Sequence, residues 1–127
     1  EREKKVEAFH KMVAAAEERG LPIAVGTEMN AHGLRFVDDF TAEAMVPVSG
    51  VFFRSACLFY AHTVLQGQAG LGYLSNWAGQ SFPSKADKNA FYEKLGQTIE
   101  PHREAELANP HSGMTPEEVM ALAAGKA

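Results

Sequence analysis

Between Gly26 and Phe40 the chain gathers a set of side chains that could do chemistry: Glu28, Asn30, His32, Arg35, Asp38 and Asp39. Three are carboxylates, His32 is an imidazole and Asn30 brings a neutral oxygen. Mixed carboxylate and imidazole ligands suit Zn²⁺, Mn²⁺ or Fe²⁺, and paired ions of this kind acidify bound water and clamp phosphoryl oxygens. Glu28 and His32 come together as metal ligands if Gly33 turns the chain back. Asn30, Arg35, Asp38 and Asp39 then stand behind the metal or face a substrate. The same residues also have a purely structural use. Asn30 and Gly33 suit turns, and Asp38 or Asp39 suits the cap of a helix beginning at Thr41. Spacing alone leaves these two readings level, and it assigns no catalytic residue.

The elements around this loop predict an α/β arrangement. Leu21-Pro22-Ile23-Ala24-Val25 is an apolar run short enough for one buried strand, and Gly26 breaks it. A strand that empties into a polar loop is where α/β enzymes place their chemistry. Before it, Val6, Phe9, Val13 and Ala16 recur at helical spacing over 3–19, and Gly20 is the stop. Helix, single glycine and strand make the tight connection of alternating α/β folds. Pro22, with no N–H, fits the beginning of a strand or a sheet edge. One strand cannot satisfy its own backbone groups. A second is therefore expected at 34–37, or else a missing part of the protein or another copy supplies the neighbour.

The rest predicts helices. Residues 51–66 are apolar nearly all round, so they read as a buried helix, with Arg54 reaching water and His62 as a hydrogen-bonded core histidine. The glycine-rich link at 66–72 lacks GxGxxG and a Walker lysine, which makes it a turn and gives no nucleotide cofactor. A short helix at 73–78 is expected to put Tyr73, Leu74 and Trp77 on one face. Ser84 starts another, with Phe91, Leu95 and Ile99 as its buried stripe. Thr115-Pro116-Glu117-Glu118 has the order of a capping box with proline at the first helical position.

Gly26-Thr27-Glu28-Met29-Asn30, followed by Gly33 and Phe36-Val37-Asp38-Asp39-Phe40, resembles the late segment of the PHP family of metal-dependent phosphoesterases. The resemblance covers about residues 20–40 and extends more vaguely to Leu65. Members of that family are distorted seven-stranded (β/α) barrels with metals at the C-terminal ends of the strands. The resemblance implies the C-terminal portion of such a barrel: a predominantly helical α/β fragment with one or two short strands and about five helices. It implies hydrolysis of phosphate esters by metal-activated water, with Glu28 and His32 among the ligands of a divalent metal. The chain departs from the family pattern in two ways. No His-x-His motif is present, and Glu28 stands where the family has the aspartate of a Gly-Ser-Asp-x-His run. A complete active site is not implied, and the isolated chain is expected to be inactive without a missing N-terminal part. The alternative, from a different class, is a non-catalytic helical interaction or regulatory domain.

Composition narrows the setting. With 127 residues the chain is one domain or a piece of one, divided by pattern into 1–66, which carries the loop, and a helical extension at 67–127. A first residue that is not methionine, already in a helical pattern, favours a piece. A net charge of −4 with scattered basic residues argues against nucleic acid as a partner. No apolar run approaches the ~20 residues of a membrane span, and no signal peptide is visible. The single cysteine, Cys57, excludes an intrachain disulfide, and a reducing, cytoplasmic setting is expected. An unpaired strand edge and an all-round apolar helix predict a homo-oligomer.

Overall fold

The computed structural model describes residues 1–26 and 30–126. The described chain falls into two compact units, Glu1–Ser55 and Ala56–Ala127. The division lies inside a long helix.

In the first unit, helix α1 (Arg2–Glu18) buries Val13, while Val6, Phe9 and Ala16 are half-buried. It ends as its glycine requires. Gly20 takes φ +63°, its N–H donates to Glu17 O, and the Leu21 N–H donates to Ala16 O. These two bonds close a Schellman motif that satisfies terminal carbonyls. Residues 21–26 then leave the helix extended. A short 3-10 turn, Val46–Val48, leads into helix α2 (Ser49–Ala69). Val13, Val48 and Phe52 form the small core of this unit, with Phe9, Ile23, Met45 and Val51 packed on it.

The second unit holds the remainder of α2, α3 (Asn76–Ser81), α4 (Lys85–Thr98), a 3-10 stretch Pro101–Ala108, and α5 (Pro116–Ala123). Ser75 and Ser84 cap α3 and α4 by accepting from the Ala78 and Asp87 N–H groups. Thr115 and Glu118 form the reciprocal box of α5, with bonds of 3.2 and 2.8 Å. Leu58, Ala61, Leu65, Tyr92, Leu95, Leu107 and Val119 are at the centre of a core that also includes Trp77 and Ile99. Tyr92 belongs to it because its hydroxyl donates to Leu71 O at 2.6 Å. Trp77 Nε1–H similarly donates to Met114 O at 2.8 Å.

The α/β expectation is corrected: among the described residues there is no strand, and so no barrel portion. The run Leu21–Val25 has the length and apolarity of a strand, but among the described residues no strand pairs with it. The Ile23 N–H donates to the Ser55 hydroxyl at 3.0 Å instead of to a ladder. Leu34–Val37, the expected second strand, is a sequence of bends with Leu34, Phe36 and Val37 all exposed. Gly33 at φ +84° turns the chain just before it. The short helix also shifts. Ser75 starts it, which turns Trp77 inward and leaves Leu74 85% exposed.

Helix α2 matches its prediction in position but extends further at both ends. With the preceding turn it makes a helical run, Val46–Ala69, long and apolar enough by length and composition to cross a membrane. The core helix of a folded domain meets the same criterion. Here 44% of that run's apolar window is buried within the protein. His62 behaves as a satisfied histidine, its Nδ1 accepting from the Tyr73 N–H at 3.0 Å. Together with Gln66, whose Oε1 accepts from Gly72 N–H, it ties down the glycine-rich turn.

Candidate functional site

The loop that carries the chemical side chains is exposed throughout 30–40. Glu28, the first expected metal ligand, lies outside the described residues, as do Thr27 and Met29. Asn30 and His32 sit on the exposed approach to the Gly33 turn. The structure does bring Arg35, Asp38 and Asp39 together. Arg35 Nη1 lies 3.4 Å from Asp39 Oδ2. The other carboxylate oxygen of Asp39 accepts from the Thr41 N–H at 2.9 Å and the Thr41 hydroxyl at 2.6 Å. Asp39 thus closes an Asx turn, and it caps no helix, because residues 41–45 form turns rather than the expected helix beginning at Thr41. The Thr41 hydroxyl chiefly, then the Thr41 N–H, with Arg35 a smaller cause, hold the Asp39 carboxyl below its ordinary range. It is therefore an anion at neutral pH.

These three residues stand at one side of an open cleft of about 590 Å³. Its walls are apolar: Phe9 and Met12 from α1, Ile23 and Val25 from the extended segment, Met45 before the 3-10 turn, and Phe52 from α2. The aromatic rings are grouped, Phe52 lying 6.1 Å from Phe9 and 6.4 Å from Phe40. His10, beside Phe9, is occupied by a 2.7 Å hydrogen bond between its Nε2 and Ala44 O. Nothing local to 27–39 could have announced these walls, because they come from four separate stretches. The usable signal was the α1 stripe, whose Phe9 had to face something.

The described walls of this cleft suit an apolar group. Among the described residues no three of His, Cys, Asp or Glu gather closely enough to hold an ion. In the second unit Glu106 takes Arg103 in a two-bond fork, at 3.0 and 2.6 Å. The exposed large apolar side chains among the described residues are unevenly divided. Met12, Leu21, Val25, Leu34, Phe36, Val37, Phe40, Val46 and Phe53 belong to the first unit, and only Phe59 and Leu74 to the second. No known protein family, curated protein or solved structure matches this chain. The residues and their surroundings therefore carry the functional reading alone.

Proposed function

We propose that this chain is a non-catalytic helical part of a metal-dependent phosphoesterase of the PHP kind, and that its task is association through the first unit. The observation that carries association is the concentration, among the described residues, of nine of the eleven exposed large apolar side chains in Glu1–Ser55. Singly exposed apolar side chains are ordinary on a protein surface, so it is their concentration in one unit, beside an apolar cleft, that favours an interaction role. The link to a phosphoesterase is supported by the likeness of residues 26–40 to the PHP late segment. In that reading Glu28 and His32 contribute to a divalent-metal site completed by groups from outside this chain, with Arg35 and Asp38 near the substrate.

The test compares this chain with the full-length product of its gene, using p-nitrophenyl phosphate and added Mn²⁺ or Zn²⁺. The chain alone should retain no stoichiometric metal and show no turnover, whereas the full-length protein should hydrolyse the ester and lose activity in Glu28→Gln. Turnover by the chain alone would overturn its non-catalytic role. A metal-free, inactive full-length protein would overturn the phosphoesterase link and leave an interaction domain of another kind.

A further inference from the structure

We propose that the groove between α4 and α5 docks an amphipathic helix of a partner protein, lying antiparallel to both, acidic in its first turn and basic in its last. The proposal goes beyond the association surface of the first unit and does not depend on it. The groove is open, about 740 Å³ in volume, and lies wholly within the second unit. Half-buried Phe82, Phe91, Met120 and Ala121 give it an apolar lining, and exposed Ala90 adds no bulk to its α4 side. The two helices run in the same direction. Met114, just ahead of α5, accepts from the Trp77 indole N–H. The Trp77 ring packs on Phe82, ahead of α4, and on Phe91 in its first half, at 6.1 and 5.9 Å. At the other end Gly125, just past α5, lies against the guanidinium of Arg103, which follows the end of α4.

Parallel helices side by side leave their dipoles aligned, and a third helix laid in the groove in the opposite direction offsets them. The side chains repeat this polarity. Asp87 and Glu117 line the groove toward the helix starts, and Lys94 and Lys126 line it toward their ends. Asp87 is also engaged in capping α4 through Ser84. Glu117, Lys94 and Lys126 form no ion pair among the described residues. Helices favour acidic residues in the first turn and basic residues in the last. Such a helix, docked antiparallel, sets its acidic turn on Lys94 and Lys126 and its basic turn on Glu117 and Asp87. Docked parallel, it would meet like charges at both ends. A partner of one sign would be repelled at one end, and an extended segment has no macrodipole to set against those of α4 and α5. About three turns of helix, roughly 16 Å, span the charged ends.

The probe is a capped synthetic peptide of about 14 residues, with leucines at helical spacing, two glutamates in its first turn and two lysines in its last. Titrated into the ¹⁵N-labelled chain, it should shift the amides of the residues lining the groove. A nitroxide on its first residue should broaden the amides of Thr98 and Lys126. Broadening at Ser84 and Glu117 instead would overturn the antiparallel placement. A variant carrying both Lys94→Glu and Lys126→Glu should bind this peptide about fivefold more weakly or worse, and should bind more tightly a second peptide whose charged ends are exchanged. Each comparison uses one peptide against two proteins, so the peptide's own helix stability cancels. Affinities that are equal for variant and wild type would overturn the charge matching. Ala90→Arg, at an exposed position, should remove binding with an unchanged circular dichroism signal, and binding that survives it would place the site elsewhere. Amide shifts unmoved up to about 1 mM peptide would overturn the proposal, as would equal binding by a proline-rich peptide that forms no helix. None of these readouts involves the first unit or a metal, so the proposed function stands or falls separately.

Discussion

Gly96→Ala should destabilise the second unit, although a glycine inside a helix ordinarily costs stability. Gly96 lies within α4, where alanine has an intrinsic advantage of about 1 kcal/mol. A Cβ placed there would fall on the backbone of Cys57 in α2, 2.5 Å from its carbonyl carbon and 2.8 Å from its Cα. Carbon atoms attract best at about 3.5–4.0 Å, so the two backbones would have to part by roughly 1 Å. Backbone cannot rotate away as a side-chain tip can. The separation would loosen Tyr92 and Leu95, both 0% exposed, along with Leu58 and Ala61. Overpacking of this kind costs about 1–3 kcal/mol, and parting two backbones belongs at or above the upper end. After the propensity gain, a net loss of about 2 kcal/mol remains, which lowers the melting temperature by roughly 6–10 °C. Trp77, the single tryptophan and a member of the same core, reports it by fluorescence. Gly67→Ala is the matched control, since it lies in α2 with nothing within 4 Å of its added Cβ. It should stabilise by about 0.5–1 kcal/mol. If Gly96→Ala also stabilised the protein, the close crossing of α2 and α4 would be refuted.

Thr115→Ala removes one half of a reciprocal box and should cost about 1 kcal/mol of α5 stability. Unchanged hydrogen exchange at residues 117–122 would contradict the cap. Thr41→Val removes the hydroxyl that contributes most to the low Asp39 pKa, so that carboxyl should titrate nearer its ordinary value by NMR. An unmoved titration would mean the Asx turn does not hold it. Burial chiefly raises the phenols of Tyr60, Tyr73 and Tyr92, and Tyr60, also bonded to Glu104, is pushed up to about 12. Raised folded-state values contribute stability fully present below about pH 10 and lost as pH rises toward 12. Phenolate absorbance should therefore appear together with unfolding, and a smooth non-cooperative rise centred at about pH 10 would refute the packing of these rings.

The helices were legible because their punctuation is local. Gly20, Ser84 and Thr115 each act on groups within a few residues of themselves, so type and spacing suffice to place a helix end. The strand at 21–25 was misread because strand pairing is not local. An apolar five-residue run specifies a strand only if another segment offers a ladder, and here Ser55 takes the Ile23 N–H instead. The site divides the same way. A local structural use of Asp39 beside Thr41 was readable, but as the cap of a helix, and the structure has an Asx turn with no helix after it. The cleft wall is not local, since Phe9, Met45 and Phe52 reach it from three distant stretches.

Helix α2 is where the sequence most overstated burial, and a pair of neighbouring residues tests the corrected view. Its nearly all-round apolar composition predicted cover on several sides. The structure instead buries Phe52, Ser55, Leu58, Ala61 and Leu65, and turns Phe53 outward at 60% exposure against 6% for Phe52. Ser55 among the buried positions shows that this face was chosen by contacts rather than by hydrophobicity, because its hydroxyl is needed by Ile23 N–H. Phe52→Ala should then remove a core side chain of the first unit, leaving space between Val13 and Val48, at a cost of about 3 kcal/mol. Phe53→Ser should change stability by no more than about 0.5 kcal/mol, as surface substitutions do. Hydrogen exchange of the α1 amides reads both in the unit concerned. Equal losses from the two substitutions would mean that α2 is covered on both faces, and the outward side of this helix would no longer count toward the exposed apolar surface of the first unit.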